Sequence, residues 1–305
     1  MTSFNPFSLP IIFLYILSFL NPTTPTPGAN YLYHICANTT FSANSLYKSS
    51  LSSLLSSLSS NATHNLEFYN TTTGQNTSNP LYGIFLCRGD VTSEICRGCV
   101  ADVTKDLAEK CSTEKVAVIW YDECMIRYSN ESIFSTAVIS PTVYLWNTNN
   151  VNNQDQFNKL LNTAMTSLAS QASDVPIGAK KFGTNKVNIS FVQTLYSLVQ
   201  CTPDLSSTDC NFCLLPICCG GKRGGRVLFP SCNIMYELYP IYNTPGLQPP
   251  PSGEVRSWLQ RGKIYIHYVC ILKHAHITYL LGSGKEIFLS YIVKIPFINE
   301  NIFSN

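Results

Sequence analysis

LYSLVQCTPDLSSTDCNFC, residues 195–213, repeats the cysteine spacing of LYGIFLCRGDVTSEICRGC, residues 81–99, position for position. Eight residues separate the first two cysteines in each stretch and two separate the second from the third. Cys87, Cys96 and Cys99 therefore recur 114 residues later as Cys201, Cys210 and Cys213. The leading Leu-Tyr pair is shared, and the twelve residues between Cys111 and Cys124 recur between Cys219 and Cys232. Five matched cysteines at identical local spacings mark an internal duplication.

Each half carries the same coarse layout around this ladder. Upstream, Leu46, Tyr47, Leu51, Leu54, Leu55 and Leu58 recur at helical spacing, as do Phe157, Leu160, Leu161, Ala164 and Leu168 in the second half. Pro80–Cys87 and Val192–Cys201 read as strands. The CxxC pieces open shorter helices, with Thr92 or Ser93 and Ser207 or Thr208 as N-caps. Lys115–Tyr121 with Met125–Tyr128, and Arg226–Phe229 with Asn233–Tyr239, read as closing hairpins. Strands and helices mixed at this length predict an α+β class: two tandem domains, each an antiparallel sheet packed by two helices and stapled by disulfides. The divisions are 30–138 and 139–243.

Composition places the chain outside the reducing cytosol. It holds 13 cysteines, of which only Cys270 lies beyond the repeats, a density that belongs to oxidising compartments. Leu9–Leu20 is a twelve-residue apolar run, short of the about 20 a membrane helix needs. The Pro-rich NPTTPTPGAN follows it, so residues 1–29 read as a signal peptide. Sequons at Asn38, Asn61, Asn70, Asn76, Asn130 and Asn188 predict glycosylation and hence exposure. Charged residues make up only 12% and the net charge is +2. No basic stripe with interleaved aromatics occurs, which argues against nucleic acid as a partner.

These residues resemble the plant cysteine-rich family typified by ginkbilobin, an antifungal seed protein. Its domain occurs in tandem in cysteine-rich secretory proteins and in the ectodomains of cysteine-rich receptor-like kinases. The C-x8-C-x2-C motif, QCTPDLSSTDC (200–210) and CCGGKRGGRVLFPSCNIMYELYP (218–240) carry the likeness over about residues 30–243. The resemblance implies two helices against a five-stranded antiparallel sheet in each domain. It also implies the pairs Cys36–Cys111, Cys87–Cys96, Cys99–Cys124, Cys201–Cys210 and Cys213–Cys232, where six cysteines by themselves leave fifteen pairings in the first domain. No second-domain cysteine stands in the place of Cys36, so Cys218, Cys219 and Cys270 have no assigned partner. Eleven residues separate Cys99 from Cys111 but only four separate Cys213 from Cys218, so most of the second CxxC helix is expected to be missing.

The family further implies mannose binding through an Asn, an Arg and a Glu, types that suit vicinal hydroxyls. Their positions fall on Asn147, Arg226 and Glu237 in the second domain, and on Ala37, Val118 and Ser129 in the first, where the site is absent. A second reading needs no ligand: with the hairpin turning at Ser231-Cys232, Arg226 and Glu237 lie opposite one another and form a cross-strand ion pair. Cys96-Arg-Gly-Cys99 and Cys210-Asn-Phe-Cys213 have the spacing of a redox dithiol or half a zinc site, though export favours structural disulfides. Gly220–Gly225 lacks the spacing of a phosphate loop and reads as a turn. No nucleophile–base pair and no recurring carboxylate dyad stand out, so the expectation is a non-enzyme without metal or cofactor. The expected function is plant defence or stress recognition, with a mannose-type glycan as ligand, or alternatively protein contacts between cell-surface ectodomains. Residues 244–305, a Pro-rich linker and a tail with no further cysteine framework, are expected to be disordered or misassigned sequence and to lack a membrane span.

Overall fold

The computed structural model describes residues 29–42, 46–75, 79–216 and 219–243, and the backbone of 263–267. The signal-peptide reading, the linker, Asn76, Cys218 and Cys270 lie outside the described residues.

The first domain runs β1 (Tyr31–Cys36), α1 (Leu46–Asn61), a 3-10 turn at Ala62–His64, β2 (Phe68–Thr73), β3 (Leu81–Cys87), α2 (Ser93–Lys110), β4 (Ala117–Tyr121) and β5 (Cys124–Ser129). The second repeats it as β6 (Thr142–Trp146), α3 (Gln154–Ser173), β7 (Phe182–Asn188), β8 (Thr194–Cys201), α4 (Ser207–Leu214), β9 (Gly224–Leu228) and β10 (Cys232–Glu237). Their sheets have the orders β1-β4-β5-β3-β2 and β6-β9-β10-β8-β7, every neighbour antiparallel. The edge strands β2 and β7 escape the hydrophobic pattern because their residues are mostly half-buried and polar.

The helices form where an apolar stripe meets one sheet face. Tyr47, Leu51, Leu54, Leu55 and Leu58 of α1 are buried, whereas Leu46 at its start points to solvent. Val100, Val103 and Leu107 of α2 complete the first core against Phe85, Ile119 and Ile126. Phe157, Leu161, Met165 and Leu168 of α3 pack on Val199, Val227 and Ile234 in the second. Eighteen residues form α2 but only eight form α4, so the second domain does lack most of this helix.

Disulfides join Cys36–Cys111, Cys87–Cys96, Cys99–Cys124, Cys201–Cys210 and Cys213–Cys232. Each CxxC therefore splits between two bonds, one to the preceding strand and one to the closing hairpin. Neither motif is a redox dithiol. Cys219 is also oxidised.

Thr92 caps α2 by accepting from Ile95 N at 3.3 Å. The cap of α4 is Ser206, one residue earlier than the sequence suggests. Its Oγ accepts from Asp209 N at 3.0 Å and donates to Asp209 Oδ2 at 2.7 Å. Replacing Ser206 by alanine is expected to cost about 1 kcal/mol in urea denaturation. Ser207→Ala, at an exposed site outside the cap, should change stability by less than about 0.5 kcal/mol.

A third apolar cluster joins the domains. Leu32, Ile84, Leu86, Val118, Trp120 and Met125 from the first sheet pack with Val143, Leu145 and Leu228 from the second. Side chains alternate across a strand, so these are the faces opposite the helices, and the layers run helix, sheet, sheet, helix. Trp120 Nε1 donates to Phe229 O at 3.2 Å across the junction. The Gln200 amide donates to Cys87 O at 2.9 Å and accepts from Gly89 N at 3.3 Å.

The segment read as an unstructured tail contributes one further strand. Lys263–His267, β11, pairs antiparallel with β6 and extends the second sheet to six strands. Lys-Ile-Tyr-Ile-His is rich in the β-branched and aromatic residues that suit a strand.

Candidate functional site

β9 and β10 turn around Pro230–Ser231, which pairs Arg226 with Met235 and Gly224 with Glu237. The expected cross-strand pair of Arg226 with Glu237 is therefore absent from the ladder: the register differs by two residues. Both side chains still share the sheet face that looks toward the first domain. Asn147 continues β6 beside Gly224, its N–H donating to Gly224 O at 3.0 Å. Its side-chain oxygen accepts from Asn149 N at 2.9 Å. The Glu237 carboxylate occupies the space that a side chain at Gly224 would need. Glycine at 224 is therefore what lets this carboxylate lie across β9 toward Asn147.

The residues are gathered, but they do not form an open pocket. Glu237 is 1% exposed and Arg226 is 6% exposed. Arg226 reaches out of its own domain, and its Nη2 lies 2.6 Å from Asp122 Oδ1. Asp122 sits in the β4–β5 turn of the first domain. Its second oxygen takes Arg88 Nη1 at 3.1 Å, and Arg88 in turn grips Asp90 through Nε at 2.6 Å and Nη2 at 3.1 Å. Asp90 also accepts from Asn243 N at 2.9 Å.

Burial alone would raise the Asp122 pKa, but the charges and hydrogen bonds of Arg226 and Arg88 outweigh it and hold the carboxyl down at about 2. Its neighbour Glu123 shifts the other way. Burial raises it, the Asp122 charge adds to the rise, and hydrogen bonds from the Asn30 backbone and side chain, at 2.8 and 2.7 Å, oppose it. Arg127, on the same face of β5, is lowered to about 10 by burial, with Asp204 of the second domain pulling it back. Asp122 and Arg127 thus each meet opposite charge from the facing domain, Arg226 and Asp204 respectively.

The residues that decide this geometry, Arg88, Asp90 and Asp122, carry no spacing signal in the sequence. In the first domain Val118 stands where Arg226 stands in the second, and it belongs to the apolar junction. Gly220–Gly225 forms a turn into β9, with Lys222 N donating to Cys219 O at 3.1 Å and Gly221 N donating to Asn158 Oδ1 at 2.6 Å. Among the described residues no cluster of His, Cys, Asp and Glu could hold a metal ion.

A second polar group lies at the β1 edge. Tyr121 Oη donates to Asp106 Oδ2 at 2.5 Å, Lys110 Nζ donates to the same oxygen at 2.7 Å, and Tyr31 Oη and His34 Nδ1 share a hydrogen bond of 2.5 Å. These groups satisfy one another and assemble no nucleophile with a free base. Of the sequons, Asn38, Asn130 and Asn188 are exposed, and Asn61 and Asn70 are half-buried.

The family model described as salt stress response/antifungal matches residues 35–131 and 146–239. Cysteine-rich receptor-like protein kinase 25 of Arabidopsis thaliana is 48% identical over 255 residues, covering 79% of this chain and 37% of its own. Cysteine-rich repeat secretory protein 38 of the same plant is 37% identical over 246 residues, covering 78% of this chain and 96% of its own. The chain thus spans little more than a third of kinase 25 but nearly all of the secretory relative. Among solved structures, the tandem DUF26 ectodomain of the Arabidopsis thaliana receptor-like protein PDLP8 superposes with a TM-score of 0.60 at 20% identity, over 70% of this chain and all of that one. The corresponding ectodomain of PDLP5 gives 0.54 at 24% identity, over 69% of this chain and all of that one.

Proposed function

The chain belongs to the salt stress response/antifungal family, and on that premise we propose that it is an extracellular, non-catalytic recognition module that works through protein contacts. One observation carries this reading over a mannose-binding one. The guanidinium that a glycan would need is committed to Asp122 inside the domain junction, 2.6 Å away. A sugar hydroxyl would have to displace a buried charge pair, which costs far more than the hydrogen bond gained.

The five disulfides described above, with the oxidised Cys219 and the named secretory relative, support an oxidising, extracellular setting. With the inner faces of both sheets packed together, the surfaces left for a partner are the helix layers, the hairpin tips and the sheet edges. The β7–β8 tip projects Phe191 and Val192 fully into solvent beside the Asn188 sequon.

Calorimetric titration of the full chain with mannose and with mannan tests the reading. No saturable heat is expected at millimolar sugar. Saturable binding that weakens at least tenfold in Asn147→Ala and Glu237→Gln, with thermal unfolding unchanged, would replace it with a lectin site in the second domain.

A further inference from the structure

The two sheets present four outer strands, and three carry features that discourage another strand from pairing. β1 has an irregular register between Tyr31 and Tyr33 and is tied at its end by Cys36–Cys111. β2 holds the Asn70 sequon within it. β7 carries Gly183 and Lys186 and ends on the Asn188 sequon. Bulges, lysines and interruptions are the devices by which exposed edges avoid strand addition.

β6 has none of them. Thr-Val-Tyr-Leu-Trp, residues 142–146, contains no charge, glycine or proline, every residue favours extended structure, and its pairing with β9 is regular. It also lacks the disulfide that anchors its counterpart β1, because the second domain has no cysteine in the place of Cys36. Among the described residues it is the one outer strand to which the fold adds another. β11 pairs with it in continuous register, from Lys263 opposite Trp146 to His267 opposite Thr142. Nineteen residues separate Asn243 from Lys263, a reach of up to about 65 Å, so the same chain can supply the strand.

We propose that the outer edge of β6 is a strand-docking site and that residues 263–267 are its intramolecular occupant. The occupant is recognised by backbone hydrogen bonding to an extended, uncharged-edge strand. While it is in place, the tail blocks any extended partner segment from the same edge. The assignment rests on the four edges and their pairing, and stands apart from the reading of Arg226 and Glu237.

A proline scan of the full chain tests it. In an antiparallel pair, successive N–H groups point alternately toward the partner and away from it, and proline is tolerated on an edge strand only where the N–H faces outward. Ile264→Pro, Tyr265→Pro and Ile266→Pro are compared by hydrogen exchange at Val143–Trp146. The expected result alternates: exchange of the outward β6 amides at least tenfold faster for one phase of substitutions and near wild type for the other. A synthetic peptide of residues 261–269 should restore slow exchange in the variants that released the edge. Protection that is indifferent to all three prolines, or that the peptide fails to restore, overturns the proposal. Concentration-dependent β6 protection in the wild type, with dimers in sedimentation velocity, overturns the intramolecular assignment and makes a second copy the occupant.

Discussion

Trp120→Ala is expected to remove about 3–5 kcal/mol of unfolding free energy, the range for deleting a buried aromatic side chain. The residue is 2% exposed at the centre of the domain junction. It packs with Leu86 and Met125 on its own side and with Val143, Leu145 and Leu228 of the second domain. Truncation leaves a cavity between two sheets that are each held by their own disulfides and cannot easily collapse into it. The Phe229 carbonyl also loses the indole donor at 3.2 Å. Trp120→Phe keeps most of the apolar contact and loses mainly that bond, so it should cost about 1–2 kcal/mol. Urea denaturation of oxidised protein, followed in parallel by tryptophan fluorescence and far-ultraviolet circular dichroism, measures both. A loss below about 1 kcal/mol for the alanine variant would mean that the domains touch without stabilising one another.

Asp122→Ala is expected to cost about 3–5 kcal/mol, because it removes a carboxylate shared by two buried guanidinium groups. Arg88 keeps Asp90, but the Arg226 guanidinium, with 7% of its side chain exposed, loses the carboxylate it was drawn to. Arg226 makes the shorter of the two contacts, 2.6 Å against 3.1 Å, so the larger share of the cost should fall there. Asp122→Ala combined with Arg226→Met replaces the pair by apolar groups and should recover more than half of the loss. If the double variant is as unstable as the single one, the cost does not lie with the arginine. The pH dependence has a definite sign. The folded carboxyl sits at about 2, below the ordinary value near 4. Its contribution is complete above about pH 4 and lost as pH falls through about 2. Asp122→Asn should flatten that segment of the acid denaturation curve.

Much of the architecture was legible because it depends on short-range pattern. The C-x8-C-x2-C spacing recurs in both halves, and the pairs Cys87–Cys96 and Cys201–Cys210 that the family resemblance implied are the bonds that form. Helical periodicity located the buried faces of α1 and α3, since a stripe repeating every three to four residues can only face one way. The short helix α4 could be read from the missing residues after Cys213. The cap at Ser206 was misplaced by one because Ser206, Ser207 and Thr208 are chemically equivalent until the backbone selects one.

The candidate site was legible as a set of residues but not as an environment. Asn147, Arg226 and Glu237 do share one sheet face, and Gly224 makes room for the carboxylate. Arg226 and Glu237 are not directly opposite because the turn at Pro230–Ser231 shifts the register by two, and register depends on turn geometry that residue types alone leave open. Asp122, 104 positions from Arg226, could not be nominated at all.

The sequence by itself determined the duplication, the two helix-on-sheet domains and the shortened second helix, because each is written in local residue periodicity and in repeated cysteine spacings. Only the tertiary structure decided which sheet faces would be sealed against each other, which acid would claim Arg226, and which edge would take up the strand at Lys263–His267. Those choices depend on surfaces complementary in shape and charge brought together from distant parts of the chain, and such complementarity leaves no period in the sequence.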